Sequence, residues 1–355
     1  MQVTDHNFTA TQPLQQMPNP QGGASTPTPI DAVRLRLYKA MHRRPRTPIA
    51  IATRLTQSHS ALALTMPTLC GAILAWWELG KLSNLTLLFS LGSVLLLALG
   101  MQTLAEYCDY THARKDPNAT EITPRLEPLI TGYGLMMQGV VQPSTVASLA
   151  YWLLTASILC TLWLTMLIGW PILFFHGLSF LLAYTYATPP VQYSYRGWAL
   201  GEIGVFLAYG LLPLVGSYYT QSHTLSWLPL WVSVPFGLLP LLVFFNYNLV
   251  HEYRDWLMHK RTLVVNLSTS HALDTSAIVS VLIYIAILCI VSLAHLPLST
   301  LITLAALPTA LGVFSRLRQT DVLPEDRYWL YKTTVNAALW TSLLFCIALF
   351  TDKWL

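Results

Sequence analysis

Apolar residues run almost unbroken for roughly 17 to 23 positions at a time along this chain, and the interruptions are polar and turn-rich. Such runs fall at about 58–77, 84–105, 147–168, 170–187, 200–219, 227–247, 275–295, 298–314 and 333–351. Each is long enough to cross a bilayer as a helix, so the pattern predicts an all-α membrane protein of about nine spans. Two runs end abruptly in acid. The apolar stretch 228–245 leads into Asn246, Asn248, His251, Glu252 and Asp255, then Lys260 and Arg261. If the helix continues, Asn248, Glu252 and Asp255 stand at i, i+4 and i+7 and share a face. The stretch 85–104 ends in Glu106 and Asp109, three apart on a helix, with Asp116 beyond. Carboxylates are costly at membrane depth, so each cluster is either a functional site or a solvated cap just outside the bilayer. Its recurrence at two span ends favours a site. Hard oxygen donors with cations beside them suit a magnesium–diphosphate complex.

Composition agrees with the pattern. Of 355 residues 54% are hydrophobic and 10% charged, against about 25% charged in a soluble domain. Lys and Arg supply the orientation. Of 20 such residues, 18 fall in the N-terminal segment or in the connections after even-numbered spans, leaving Lys81 and Lys353 on the other side. The N-terminus and both acidic clusters are therefore expected at the cytoplasmic face, with a bacterial cell membrane the expected location. The same asymmetry accounts for the net charge of +4 without a nucleic-acid partner. The basic run from Arg34 to Arg54 suits anionic lipid headgroups. Five cysteines show no CxxC or Cys/His spacing, so neither a zinc site nor a disulfide framework is read. The first forty residues contain no apolar core of a signal peptide, and no obligate protein partner is evident.

Along the chain, residues 1–30 read as a disordered polar tail and 31–55 as a basic amphipathic juxtamembrane segment interrupted by Pro45 and Pro48. Residues 56–355 form a single transmembrane domain. The long connection from Asp109 to Pro143 carries Arg125, placed either to meet a phosphate or to face solvent, and a short helix ended by Gly139 and Pro143. After 170–187 come Tyr184, Tyr186, Tyr193 and Tyr195 with Arg196. They form either an interfacial aromatic belt or a pocket facing a flat ring or a carbocation. The next span carries Glu202 and glycines 201, 204, 210 and 216, small residues that let helices approach.

The segment DWLMHKRTLVV, the acidic residues before it, the cluster four spans earlier and SYRGWALGEIGVFLAYGLLPLVGSYYTQ between them resemble the UbiA superfamily of intramembrane prenyltransferases. The likeness covers about 50–350 and is nearest to the branch that prenylates 1,4-dihydroxy-2-naphthoate in menaquinone synthesis. It implies nine helices around a central cavity, with two aspartate-rich motifs holding Mg2+ and the diphosphate of a polyprenyl donor. By this likeness Glu106, Asp109, Asp116, Asn248, Glu252 and Asp255 are the candidate catalytic and metal-binding residues. Asn248, Lys260, Arg261, Arg125, Tyr186, Tyr195 and Arg196 are the candidate substrate-binding ones. The chain departs from the pattern at Ala105, where the family has Asn; in the Asp109 to Asp116 gap; in the three-residue spacing of Glu252 and Asp255; and at His259, where the family has glycine. The implied reaction is ionisation of an allylic diphosphate and alkylation of an electron-rich aromatic acceptor. A membrane terpene cyclase acting on the donor alone, or a non-catalytic lipid or quinone carrier, are the alternatives.

Overall fold

The computed structural model describes residues 29–115, 128–317 and 322–354. Most of the expected N-terminal tail, Asp116 and Arg125 lie outside the described residues. Within them the chain is helical throughout, with no strand. Eight helices are long and apolar enough to cross a membrane: α3 (Ser58–Leu79), α4 (Asn84–Lys115), α6 (Pro143–Ile168), α8 (Leu200–Ser222), α9 (Trp227–Val250), α12 (Thr269–Leu293), α13 (Leu298–Leu317) and α14 (Pro324–Trp354). The run at 170–187 forms a shorter apolar helix, α7 (Leu173–Ala187), which begins with a π turn. The short helices are α1 (Pro29–His42), α2 (Pro48–Leu55), α5 (Gly132–Met137), α10 (Glu252–Leu257) and α11 (Leu263–Asn266).

Proline and glycine chemistry sets the local breaks. Pro48 begins α2, where its missing N–H is no loss, and the Thr47 side chain caps the turn by accepting from Ala50 N at 3.2 Å. This splits the expected juxtamembrane segment into α1 and α2. Thr131 caps α5 and Gly139, at φ +65°, turns the chain toward Pro143 at the start of α6. α1 is fixed to the start of α14 by a bidentate pair, Arg34 Nε and Nη2 to Asp326 at 3.0 and 2.6 Å.

α3 is the central helix. It packs on α8, α14, α4 and α9, and the α3–α8 crossing depends on Gly71: a Cβ there would sit 2.1 Å from the Leu214 carbonyl oxygen. At the α8–α9 crossing Gly210 faces Gly237 so closely that a Cβ would lie 2.2 Å from its Cα. The expected small-residue approach along span five is therefore present. Two cores result. One joins α3, α8, α9, α12 and α14 around Leu74, Phe236 and Phe345; the other joins α3, α4, α7 and α8 around Leu64, Leu97 and Tyr209. α6 covers α4 and turns Trp152, Trp163 and Met166 outward, as suits lipid contact. The acidic end of α4 and the α9–α10 junction meet at one end of the bundle, beside α3.

Candidate active site

α4 continues as helix past its apolar stretch, so Glu106 and Asp109 emerge on one face, and both are buried, each about 2% exposed. The partner elements arrive differently. α9 stops at Val250, and His251, at φ −105° and ψ 15°, redirects the chain before α10 begins. Asn248, Glu252 and Asp255 consequently do not share one helical face, which corrects the expectation from uninterrupted helical spacing. α10 then closes in a Schellman turn: His259 N bonds the Trp256 carbonyl at 3.1 Å and Lys260 N bonds that of Asp255 at 2.9 Å, with His259 left-handed at φ +53°. That turn folds Lys260 back over the carboxylates.

Two cations hold three acids. Lys260 Nζ donates to Asp109 Oδ2 at 3.0 Å and lies 3.8 Å from Asp255 Oδ1. The Arg254 guanidinium reaches Asp109 at 3.4 Å, Asp255 at 3.4 Å and Glu106 at 3.8 Å, and covers the Tyr133 ring at 4.8 Å. Asp109 also accepts from the Tyr195 hydroxyl at 2.6 Å. Glu106 accepts from Tyr133 N at 2.8 Å, Gln57 Nε2 at 3.2 Å and the Tyr247 hydroxyl. Asp255 is fully buried and its Oδ2 has no hydrogen-bond partner. With all five ionised the cluster carries one excess negative charge beside an orphaned carboxylate oxygen.

The electrostatics follow from burial. Burial pushes the Asp255 carboxyl up, against the pull of Lys260 and Arg254. Burial alone would lower Lys260 and Arg254, but the facing carboxylates outweigh it and hold both above their ordinary values and charged. His251 is driven well down by burial and by those two cations, so its ring is neutral at pH 7. Burial and the neighbouring Asp109 carboxylate push the Tyr195 hydroxyl well up, keeping it a hydrogen-bond donor.

Of the cluster, Glu106, Asp109 and Lys260 line a cavity with Gln57, Tyr186, Tyr247 and Asn248, about 420 Å³ of empty space counting its open mouth. Deeper lies an apolar chamber of about 310 Å³, which shares Gln102, Ala105, Tyr186 and Phe244 with the first. Its walls are aromatic. Tyr186 meets Tyr193 edge-on at 5.6 Å and Phe244 at 5.7 Å, and Phe244 stacks on Tyr209 at 6.0 Å. A charged mouth thus opens onto an apolar, π-lined interior, suited to a long apolar molecule with a multiply charged head.

The structure therefore brings together Glu106, Asp109, Asp255, Lys260, Tyr195, Tyr186 and Asn248. Glu252 is not among them: Arg327 pairs with it at 2.8 Å and the Thr269 hydroxyl donates to it at 3.1 Å. The redirected α9–α10 junction aims it away from the cavity. Arg261 and Arg196 are exposed and outside the cluster. Sequence reasoning missed Arg254, Tyr133, Gln57 and Tyr247. Arg254 carried a usable signal, being a cation directly beside Asp255 in the acidic stretch. Among the described residues no three His, Cys, Asp or Glu side chains are gathered as a complete metal site. Magnesium, however, is commonly held by one or two carboxylates with substrate phosphates completing the shell. Asp109 and Asp255, the latter with its orphaned oxygen, fit that requirement.

Comparison with known proteins follows the same lines. The sequence profile of the UbiA prenyltransferase family matches residues 64–342. The 1,4-dihydroxy-2-naphthoate octaprenyltransferase of Escherichia coli (strain K12) is 29% identical over 296 residues, 80% of this chain and 90% of that protein. The 2-carboxy-1,4-naphthoquinone phytyltransferase of Synechocystis sp. is 30% identical over 158 residues, 44% of this chain, and the match spans only half of that relative's length. Among solved structures, a UbiA homolog from Archaeoglobus fulgidus bound to GPP and Mg2+ superposes with a TM-score of 0.56 at 12% identity, covering 86% of this chain and all of that one. The apo UbiA homolog from Aeropyrum pernix K1 gives 0.58 at 13% identity, covering 83% and 98%. At such identities these structures establish the fold.

Proposed function

The chain belongs to the UbiA prenyltransferase family, and from that premise we propose that it transfers a prenyl group from an isoprenyl diphosphate to an aromatic acceptor of the 1,4-dihydroxy-2-naphthoate kind, with magnesium, in quinone biosynthesis. The observation that carries this reading is the convergence of Glu106, Asp109 and Lys260, paired with Arg254 and Asp255, in the lining of an apolar, aromatic-walled cavity. The named activity of the Escherichia coli relative, matched over most of its length, supports the acceptor class. The magnesium and geranyl diphosphate of the archaeal homolog support the donor side.

Asp109 and Asp255, assisted by the Asn248 amide and by Asp116, are the residues that would hold magnesium. When bound, the ion supplies a Lewis acid that neutralises charge developing on the leaving diphosphate. This chain's own groups do the rest. Lys260 and Arg254 offer fixed positive charge to the phosphate oxygens. Tyr195 holds Asp109 in orientation. The faces of Tyr186, Tyr193, Tyr209 and Phe244 attract an allylic cation electrostatically without supplying a nucleophile. The buried chamber excludes water that would quench it. Glu252 takes a structural part, tying α10 to α14 through Arg327. The site faces the cytoplasm of a bacterial cell membrane, with the N-terminus on that side.

Carboxamide substitution is the test. Asp109→Asn and Asp255→Asn keep size and remove charge, and each is expected to lower magnesium-dependent diphosphate release by about a hundredfold or more, as for loss of a strong transition-state interaction. Full magnesium-dependent turnover in either variant would exclude the assignment. If the wild-type protein releases diphosphate without acceptor and yields hydrocarbon, the aromatic chamber is working as a terpene cyclase.

A further inference from the structure

The segment formed by α1 and α2 lies at the end of the bundle that carries the carboxylates, and its inner side is firmly held. Arg34 binds Asp326 at the start of α14 at 3.0 and 2.6 Å. Met41 is buried, and its carbonyl accepts from Leu129 N at 2.8 Å. Arg54 donates to the Arg43 and Leu129 carbonyls at 2.7 and 2.6 Å. Both backbone groups of Leu129 are thus fixed by this segment. Four positions on, Tyr133 N donates to Glu106 at 2.8 Å and the Tyr133 ring lies under Arg254. Leu55 of α2 packs in one apolar cluster with Leu129, Tyr133 and Met258. Only Thr56 and Gln57 separate α2 from α3, and Gln57 itself donates to Glu106 at 3.2 Å. The placement of α1 and α2 is therefore passed to the carboxylate cluster by two short routes.

The outer side is uncovered. On α1, Leu35, Tyr38 and Lys39 stand at i, i+3 and i+4 and share a face, with Arg36 at its border, and all four are exposed. Arg43, Arg44 and Arg46 follow, also exposed, and Ile49 on α2 is 76% exposed. Among the described residues, Arg36, Lys39, Arg43, Arg44 and Arg46 pair with no carboxylate. Cations alternate here with large apolar side chains, and the segment runs straight into a membrane-length helix. Such a surface is satisfied where Leu35, Tyr38 and Ile49 enter the acyl boundary while the cations meet lipid phosphates.

We propose that α1 and α2 form a strap that docks on the anionic lipid surface of its own leaflet and, through Leu129 and Gln57, holds Glu106 and Arg254 in place. The docking stands apart from the prenyl-transfer reading; its effect on donor binding rests on that reading. The five cations touch nothing in the site, and Leu129 is a positioning residue.

The test is hydrogen–deuterium exchange on the full chain in nanodiscs, made of phosphatidylcholine alone or with phosphatidylglycerol replacing about a third of it. In the anionic discs exchange across residues 32–55 and 129–137 is expected to slow about tenfold, and raised salt to reverse the effect. A variant combining Arg36→Gln, Lys39→Gln, Arg43→Gln, Arg44→Gln and Arg46→Gln is expected to exchange alike in both discs. Should it fail to fold, Arg36→Gln with Lys39→Gln, at exposed positions of α1, is expected to cut the lipid response to about threefold. Geranyl diphosphate with magnesium, titrated on the same discs, is expected to bind the wild type about threefold more tightly with phosphatidylglycerol and the five-cation variant equally in both. Equal exchange of the wild type in the two discs, whether a second copy or the protein itself covers the face, overturns the proposal. Slowing confined to 32–55, with 129–137 and donor affinity unmoved, overturns the coupling to the site. A donor that binds in neither disc would refute the prenyl-transfer reading, while exchange would still decide the docking.

Discussion

Arg254→Met is the substitution that most sharply probes how the site is held. The Arg254 guanidinium is 3% exposed and lies within 3.4 to 3.8 Å of Asp109, Asp255 and Glu106. Methionine keeps much of the volume and the contact with Tyr133 but removes the charge, leaving three buried carboxylates facing Lys260 alone. Removing one partner of a buried ion pair costs about 3 to 5 kcal/mol; Lys260 and the open cavity mouth place this case near 3. At about 2.1 cal/mol/K of unfolding entropy per residue over 355 residues, that is a fall of about 4 °C. Added magnesium should recover part of the loss, because a cation bound at 100 times its dissociation constant stabilises by about 2.7 kcal/mol. The assay is the apparent melting midpoint in detergent, followed by tryptophan fluorescence with and without magnesium. Arg254→Lys should fall between the two. A variant melting within a degree of wild type, with no larger response to magnesium, would refute the claim that Arg254 neutralises the cluster.

Three further outcomes follow from the same geometry. His259→Gly should raise stability by about 1 kcal/mol, since a left-handed non-glycine residue carries a penalty of that order, while donor affinity stays within twofold because the Schellman turn persists; a destabilised variant would mean that the side chain contributes more than its backbone strain. Glu252→Gln should lower the melting midpoint by weakening the pair with Arg327 yet keep the magnesium dependence of turnover, whereas Asp255→Asn should abolish turnover; equal losses in both would show that Glu252 also serves the metal. Because burial raises the Asp255 pKa above the ordinary value near 3.9, its carboxylate is lost at a higher pH than an exposed one as acid is added. Apparent magnesium affinity should accordingly weaken from above pH 4 on acidification, and the folded protein should gain stability from this group as pH falls through that interval; an acid limb at or below pH 4 would contradict the shift.

Much of this site was legible in residue order because membranes make carboxylates conspicuous. Glu106 and Asp109, three apart at the end of an apolar run, had to share a face as long as α4 stayed helical, and it does. The second cluster was harder. Its geometry depended on the helix continuing past Val250, and nothing in the run NYNLVHEYRDW marks His251 as a break, since no proline or glycine stands there. The break turns Glu252 outward to Arg327 and lets Arg254 turn inward. Tyr133 and Gln57 come from segments with no acidic signature, and only tertiary packing brings them to Glu106. The span at 170–187 was read from apolar length, and the helix found there is the shorter Leu173–Ala187, which opens with a π turn. Aromatics near 184–195 left belt and pocket open; packing against Phe244 and Tyr209 places Tyr186 and Tyr193 in the chamber wall.

The most direct measurement is the product itself. Purified protein is incubated with magnesium, an octaprenyl diphosphate and 1,4-dihydroxy-2-naphthoate, and the organic extract is analysed by mass spectrometry while released diphosphate is counted. A prenylated naphthoate-derived product, one diphosphate for each, absent with a metal chelator or in Asp109→Asn, is the predicted result. Diphosphate retained in full by a protein shown to bind the donor, or a hydrocarbon formed whether or not the naphthoate is present, would contradict it.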